Sequence, residues 1–177
     1  MTHTLLEDAI RAYMTQWPAE TETAARYLAL LAHPDAFQRT HFPGHITGSA
    51  FLVDRTFTHT LLVHHGKLNR WLQPGGHADG DMDVAGVARR EANEETGVYH
   101  LDLLATDIFD LDIHLIPART DFPAHDHYDV RYLFCASMEE KVIVSEESHD
   151  VRWVPLADLE RYNPEPSLLR LRDKLPR

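Results

Sequence analysis

Two stretches with helical spacing precede a change of period near residue 46. Leu6, Ile10, Tyr13, Met14 and Trp17 recur on one helical face and predict a helix over 4–17, which Pro18 interrupts. Ala24, Tyr27, Leu28 and Leu31 predict a second helix over 20–32, stopped by His33-Pro34 and Pro43-Gly44. Strand patterning then takes over. Strands are expected at 46–53 and 60–65, with a short one at 71–73 ahead of Pro74-Gly75-Gly76. A helix over 83–96 follows, then strands at 107–116 and 128–136 separated by a long loop, and a last strand at 150–154. A helical turn at 155–159 and a helix over 167–175 close the chain.

Strands with helices between and after them predict an α/β chain, a mixed sheet covered on both faces. Residues 1–42 read as an N-terminal helical extension, and 43–177 as the main domain with its C-terminal helix. The extension either covers the core or serves as a substrate lid or a homodimer contact.

Composition narrows the function classes. A chain of 177 residues suits one domain with a good core. The net charge of −11 argues against a nucleic-acid polymer as partner, since that surface needs a dense Lys/Arg field. Phosphate-bearing small molecules stay open if a metal ion supplies positive charge. No apolar run is long enough for a membrane span. The first residues have neither a basic start nor an apolar signal core, and Cys135 is the only cysteine, so a cytoplasmic protein is expected.

The segment from Gly76 to Val98 carries the chemistry. Asp81 or Asp83 can cap the helix start, and Gly97 ends it. Ala85, Ala88 and Ala92 form a narrow stripe that lets the helix sit close to the sheet. Glu91, Glu94 and Glu95 stand at i, i+3 and i+4, which places three carboxylates side by side. They raise one another's pKa and oppose the negative end of the helix dipole. Hard oxygen donors in this pattern suit Mg²⁺ or Mn²⁺. A solvated acidic helix end is the bland alternative, and the Gly75-Gly76 loop feeding the same helix weighs against it.

The same segment resembles the Nudix box, Gly-x5-Glu-x7-Arg-Glu-U-x-Glu-Glu-x-Gly-U, where U is a bulky aliphatic residue. Gly76 takes the first position, Arg90-Glu91 the Arg-Glu pair, Glu94-Glu95 the Glu-Glu pair, and Gly97-Val98 the close. Pro74-Gly75 ahead of the box and the Arg152-Trp153-Val154-Pro155-Leu156 segment also look like the family. Met82 replaces the first box glutamate, with Asp81 and Asp83 on either side, and Ala92 replaces the bulky aliphatic.

The resemblance implies a Nudix-like α/β/α sandwich. It also implies a metal-dependent hydrolase that cleaves a diphosphate linkage in a nucleoside diphosphate joined to another moiety. By the same resemblance Glu91, Glu95 and Glu94 hold Mg²⁺ or Mn²⁺ with the Gly75 carbonyl, and Arg90 orients the carboxylates. Glu94 also counts among the catalytic carboxylates of the box. The base that takes a water proton comes from the box or a downstream loop, where Glu146, Glu147 and Asp150 are candidates and Glu147 is preferred. A non-catalytic nucleotide-binding or sensor protein on the same fold is the alternative. None of the extra motifs that single out diadenosine polyphosphate, coenzyme A or NADH members is present.

Thirteen histidines are many for this length, and several cluster. If 125–129 is extended, His125, His127 and Asp129 share one face while Tyr128 and Val130 share the other. The polar set contacts substrate phosphate, binds a transition metal, or forms a polar sheet edge. His114 on the neighbouring strand, Arg119 in the intervening loop and His77 beside the box are the further candidates for substrate contact.

Overall fold

Backbone pairing begins where the apolar period shortens. In the computed structural model, which describes residues 3–120 and 122–176, eight strands join in one mixed sheet. They are β1 (Gly44–Asp54), β2 (His59–His65), β3 (Arg70–Leu72), β4 (Gly75–His77), β5 (Asp102–Leu103), β6 (Asp110–Ile116), β7 (His125–Ala136) and β8 (Ser148–Pro155). The helices are α1 (His3–Gln16), α2 (Thr21–Leu31), α3 (Val84–Thr96), α4 (Leu159–Tyr162) and α5 (Pro166–Asp173).

The centre of the sheet is β1, buried at every residue and paired in parallel with β7 from Gly44↔Asp126 to Asp54↔Ala136. Its other edge meets β4 through Thr47↔His77, Gly48↔Gly76 and Ser49↔Gly75, and then β2 at Val53↔Thr60. Strands β3 and β8 flank β2, while β6 and β5 follow one another along the outer edge of β7.

Alternation along these strands builds two cores. On one face, Ile46, Ala50, Leu52, Val130, Tyr132 and Phe134 pack beneath α1, α2 and α3. On the other, Phe51, Val53, Leu62, Leu133 and Val154 meet Leu159, Leu168 and Leu171 of α4 and α5. The result is the expected α/β/α sandwich. Leu6, Ile10, Tyr13 and Tyr27 of the first two helices belong to the same buried cluster as the sheet.

Helix α3 lies close on the sheet for a reason shared between both surfaces. Val84, Val87, Ala88 and Ala92 are buried beneath it, whereas Ala85 is only half-buried. Opposite them stands Gly48, where an added Cβ would meet the Val84 carbonyl oxygen at 2.8 Å and Val84 Cγ1 at 2.9 Å. The alanine stripe is therefore only half of the fit.

A buried ionic cluster ties the edge strand to both ends of the chain. Asp110, fully buried, meets Arg131 Nη1 at 3.2 Å, Arg170 Nη2 at 2.8 Å and Lys174 Nζ at 2.6 Å. Lys174 reaches Glu20 at 2.8 Å as well, and donates to the Tyr13 hydroxyl at 2.6 Å. Charges this far from water persist only when paired and hydrogen-bonded.

Several boundaries differ from the expectation, among them β6, which starts at Asp110 rather than 107, and three differences have a clear physical reason. Gly75–His77, expected as loop, is a strand, because β1 offers it a free edge that no local signal announces. The two-residue β5 is too short to show a period. Strand β7 starts at His125, three residues before the apolar run, since its parallel pairing with β1 starts with Gly44.

Candidate functional site

Helix α3 is fixed at both ends. The Asp83 carboxylate accepts the Gly86 N–H at 3.3 Å, and Asp81 Oδ1 accepts the Asp83 N–H at 2.9 Å. Gly97 ends the helix at φ 71°, a left-handed conformation that favours glycine. These caps hold the last turns of α3 against β4.

Glu91 and Glu95, one turn apart, meet that strand. The Gly75 N–H donates to Glu95 Oε2 at 3.1 Å. The Glu91 carboxylate lies so close to Gly76 that a Cβ there would overlap it. Glycine at position 76 is thus a spatial requirement of the carboxylate. Arg90 Nη2 stands 3.4 Å from Glu91 Oε1 and Arg90 Nη1 3.6 Å from Asp81 Oδ2. The guanidinium bridges the loop and the helix.

The electrostatics match a site short of positive charge. Burial pushes the Glu95 carboxyl up from 4.5 to about 7, with Glu91, Glu147 and Glu94 adding repulsion against the Gly75 hydrogen bond. Glu91 is raised too, by burial and then Glu94, with Arg90 opposing. Glu147 comes from the loop before β8, where its carbonyl accepts the Gly66 N–H at 2.9 Å. Its field reaches Glu95, so the two acids sit near one another. Asp150 is engaged otherwise, by Val151 N–H at 2.9 Å and Arg152 Nη2 at 2.6 Å. Glu94 and Glu146 are exposed. Met82, at the first box-glutamate position, is half-buried and packs against the core beside α3.

The histidines gather on the sheet face opposite α3. His45 of β1, His77 of β4 and His127 of β7 place one ring nitrogen each within 4.8 Å of one another. The His125 ring stacks on His45 at 5.0 Å, and His114, the β6 partner of His127, lies 5.4 Å from it. Burial lowers His127 to about 2 and His77 to about 4, and lowers His45. For His127 the surrounding imidazoles add to burial, first among them His77. All three are uncharged near neutrality. β7 lies between β1 and β6 here, so His125 and His127 are not at a sheet edge.

The same face continues into a hydrogen-bonded floor. Asp129 accepts from Ser49 Oγ at 2.7 Å, Thr47 Oγ1 at 3.1 Å and Arg131 Nε at 2.9 Å, with Gln73 Nε2 at 3.4 Å. Arg119 is exposed in the β6–β7 loop, bonded through its backbone to Phe122, and adds a little to the lowering of His65, which comes mainly from burial. Sequence reasoning missed His45. The alternation His45, Thr47, Ser49 against Ile46, Gly48, Ala50, extended back by two residues, carries that signal.

Clustered carboxylates next to a glycine backbone form a hard-oxygen donor set, suited to a small divalent cation that also holds phosphate oxygens. Among the described residues no helix is long and apolar enough to cross a membrane. Comparison with curated proteins gives no match. Solved structures do match. A C. elegans Ap4A hydrolase in a binary complex is 19% identical, with 73% of this chain and 93% of that one covered, at a TM-score of 0.59. A NUDIX family hydrolase from Clostridium perfringens is 21% identical over 73% and 95% of the two chains, at 0.57. An E. coli dihydroneopterin triphosphate pyrophosphohydrolase is 11% identical over 73% and 93%, at 0.60. At these identities the likeness is one of fold. The family profile for the NUDIX domain matches residues 44–174, which span the box, the glutamates and the whole sheet. On that match the chain belongs to the Nudix family of pyrophosphohydrolases, enzymes that act on acid anhydrides and generally need a divalent metal.

Proposed function

We propose that this protein is a Mg²⁺-dependent hydrolase of a nucleoside diphosphate joined to a second moiety, with Mn²⁺ as a substitute ion. The observation that carries the reading is the convergence of Glu91 and Glu95 on Gly75 and Gly76. In this reading Glu91 and Glu95 hold the ion, joined by Glu94 and the Gly75 carbonyl. A cation held there would offset charge on the diphosphate and make the attacking water more acidic.

The residues of the chain supply the rest. Arg90 keeps Glu91 turned toward the glycines through its guanidinium fork, the role of a positioning residue. Glu147, close enough to raise Glu95, takes the proton from the attacking water. Met82 leaves the site one carboxylate short of the family pattern, and its packing on the core favours a second reading, a nucleotide-binding sensor without turnover.

A substrate panel separates the two. It contains nucleoside triphosphates, ADP-ribose, nucleotide sugars, dinucleoside polyphosphates and a pterin triphosphate, each assayed with Mg²⁺ and with Mn²⁺. The last two follow from what the C. elegans and E. coli neighbours are named for. Metal-dependent release of a phosphate-bearing product from one of them, lost in Glu95→Gln, supports the hydrolase. Binding without turnover across the panel supports the sensor.

A further inference from the structure

We propose that His45, His77 and His127 form a binding site for a first-row transition-metal cation of the Zn²⁺ class, distinct from the carboxylate site. Each ligand comes from a different strand, and each contributes one ring nitrogen to a cluster no wider than 4.8 Å. An ion at the centre of such a triangle lies at most about 2.8 Å from each nitrogen, against the roughly 2.0–2.1 Å of a Zn–N bond. Inward movement of less than about an ångström per ring, within the reach of side-chain torsions, completes the set.

The hydrogen bonding prepares these rings as ligands. His45 is only 1% exposed, and its Nδ1 faces the His41 carbonyl at 3.3 Å. A carbonyl can only accept, so Nδ1 carries the proton and Nε2 presents its lone pair. That Nε2 is buried and without a partner, and so is Nε2 of His127. A buried imidazole nitrogen costs free energy unless a partner engages it, and two of them in one cluster offer their lone pairs to a Lewis acid. The carbonyl–histidine–metal arrangement is the usual way to fix a ligand's tautomer and raise its basicity. His125 has the same pattern, with Nδ1 at 2.8 Å from the Pro123 carbonyl and its ring stacked on His45.

Ligand chemistry sets the ion's class. Three neutral imidazoles with no carboxylate among them select Zn²⁺, Co²⁺, Ni²⁺ or Cu²⁺ over Mg²⁺, which prefers oxygen. The carboxylate cluster across the sheet has the opposite preference. The proposal does not depend on the hydrolase reading, since it rests on none of the glutamates.

The test uses the full chain stripped of metal and titrated with Zn²⁺ by calorimetry and with Co²⁺ by visible absorption. Expected are one tight Zn²⁺ equivalent, nitrogen-type Co²⁺ bands, and a shift of the His45 and His127 Nε2 resonances in ¹⁵N NMR. His77→Ala and His127→Gln should each weaken Zn²⁺ by tenfold or more and erase the Co²⁺ bands. The double variant Glu91→Gln/Glu95→Gln should keep both signals. Circular dichroism of each metal-free variant separates ligand loss from misfolding, and the half-buried His77 gives the variant least exposed to that problem. The proposal fails if Zn²⁺ binding is insensitive to the histidine changes, vanishes in the glutamate variant, or leaves the Nε2 resonances unmoved.

Discussion

Gly75 and Glu95 are joined by a single hydrogen bond, backbone N–H to Oε2 at 3.1 Å, and that bond ties a box glutamate to the strand preceding its own helix. It is the main counterweight to the burial and like charge that hold Glu95 at about 7.

Replacing Glu95 by Gln therefore separates activity from stability. If Glu95 holds the ion as proposed, turnover should fall by about a hundredfold or more, the scale of losing a metal ligand. The metal-free fold should gain. The folded pKa lies above the ordinary 4.5, so the favourable protonated state is complete below 4.5 and is lost as pH rises through about 7. The stability advantage of Glu95→Gln over the parent, read by urea denaturation, should thus widen from pH 5 to pH 8, toward an upper limit of about 3 kcal/mol. A constant or shrinking difference across that range contradicts the assignment.

Asp54 gives the opposite sign. Burial alone would raise its carboxyl, but bonds from Thr56, His59 and Thr58, at 2.7–2.9 Å from their backbone N–H groups, hold it at about 2 against an ordinary 3.8. The stabilisation is present above 3.8 and disappears as pH falls through 2. Asp54→Asn should cost about 2 kcal/mol at pH 7 by urea denaturation, and the gap should close toward pH 2.

At Asp110 the cost should be larger. Asparagine there leaves Arg131, Arg170 and Lys174 around a neutral group in a fully buried position. Loss of one partner in such a cluster typically costs about 3–5 kcal/mol. A fall in the urea midpoint equivalent to less than 1 kcal/mol would show that water already screens the cluster.

Gly48 tests the fit of α3. Alanine places its Cβ 2.8 Å from the Val84 carbonyl oxygen and 2.9 Å from Val84 Cγ1, both rigidly held. Displacing the helix should cost about 1–3 kcal/mol and weaken the proposed metal-dependent turnover together, because the glutamates move with it. A stability loss with unchanged turnover would separate the helix seat from the site.

Much of this was legible in the residues. The helical faces of 4–17 and 20–32, the strand runs and the capped helix ending at Gly97 each express a local period or cap, and the structure keeps them. The spacing of Arg90, Glu91, Glu94 and Glu95 carried the family. What stayed hidden was non-local. β4 is a strand only because β1 leaves an edge for it, and the three residues Gly75, Gly76 and His77 carry no period. The grouping of His45 with His77 and His127 depends on parallel and antiparallel register across three strands, which no spacing within one segment encodes.

Because side chains alternate along β4, Gly76 faces the carboxylates and His77 faces the imidazoles, so three consecutive residues serve both sides of the sheet. Inserting or deleting a single residue between Pro74 and Ala78 would exchange those assignments, driving a histidine toward Glu91 and a glycine toward His127. This stretch should therefore accept substitutions by type far more readily than any change of length, and natural or engineered variants that alter its length should be rare among active ones.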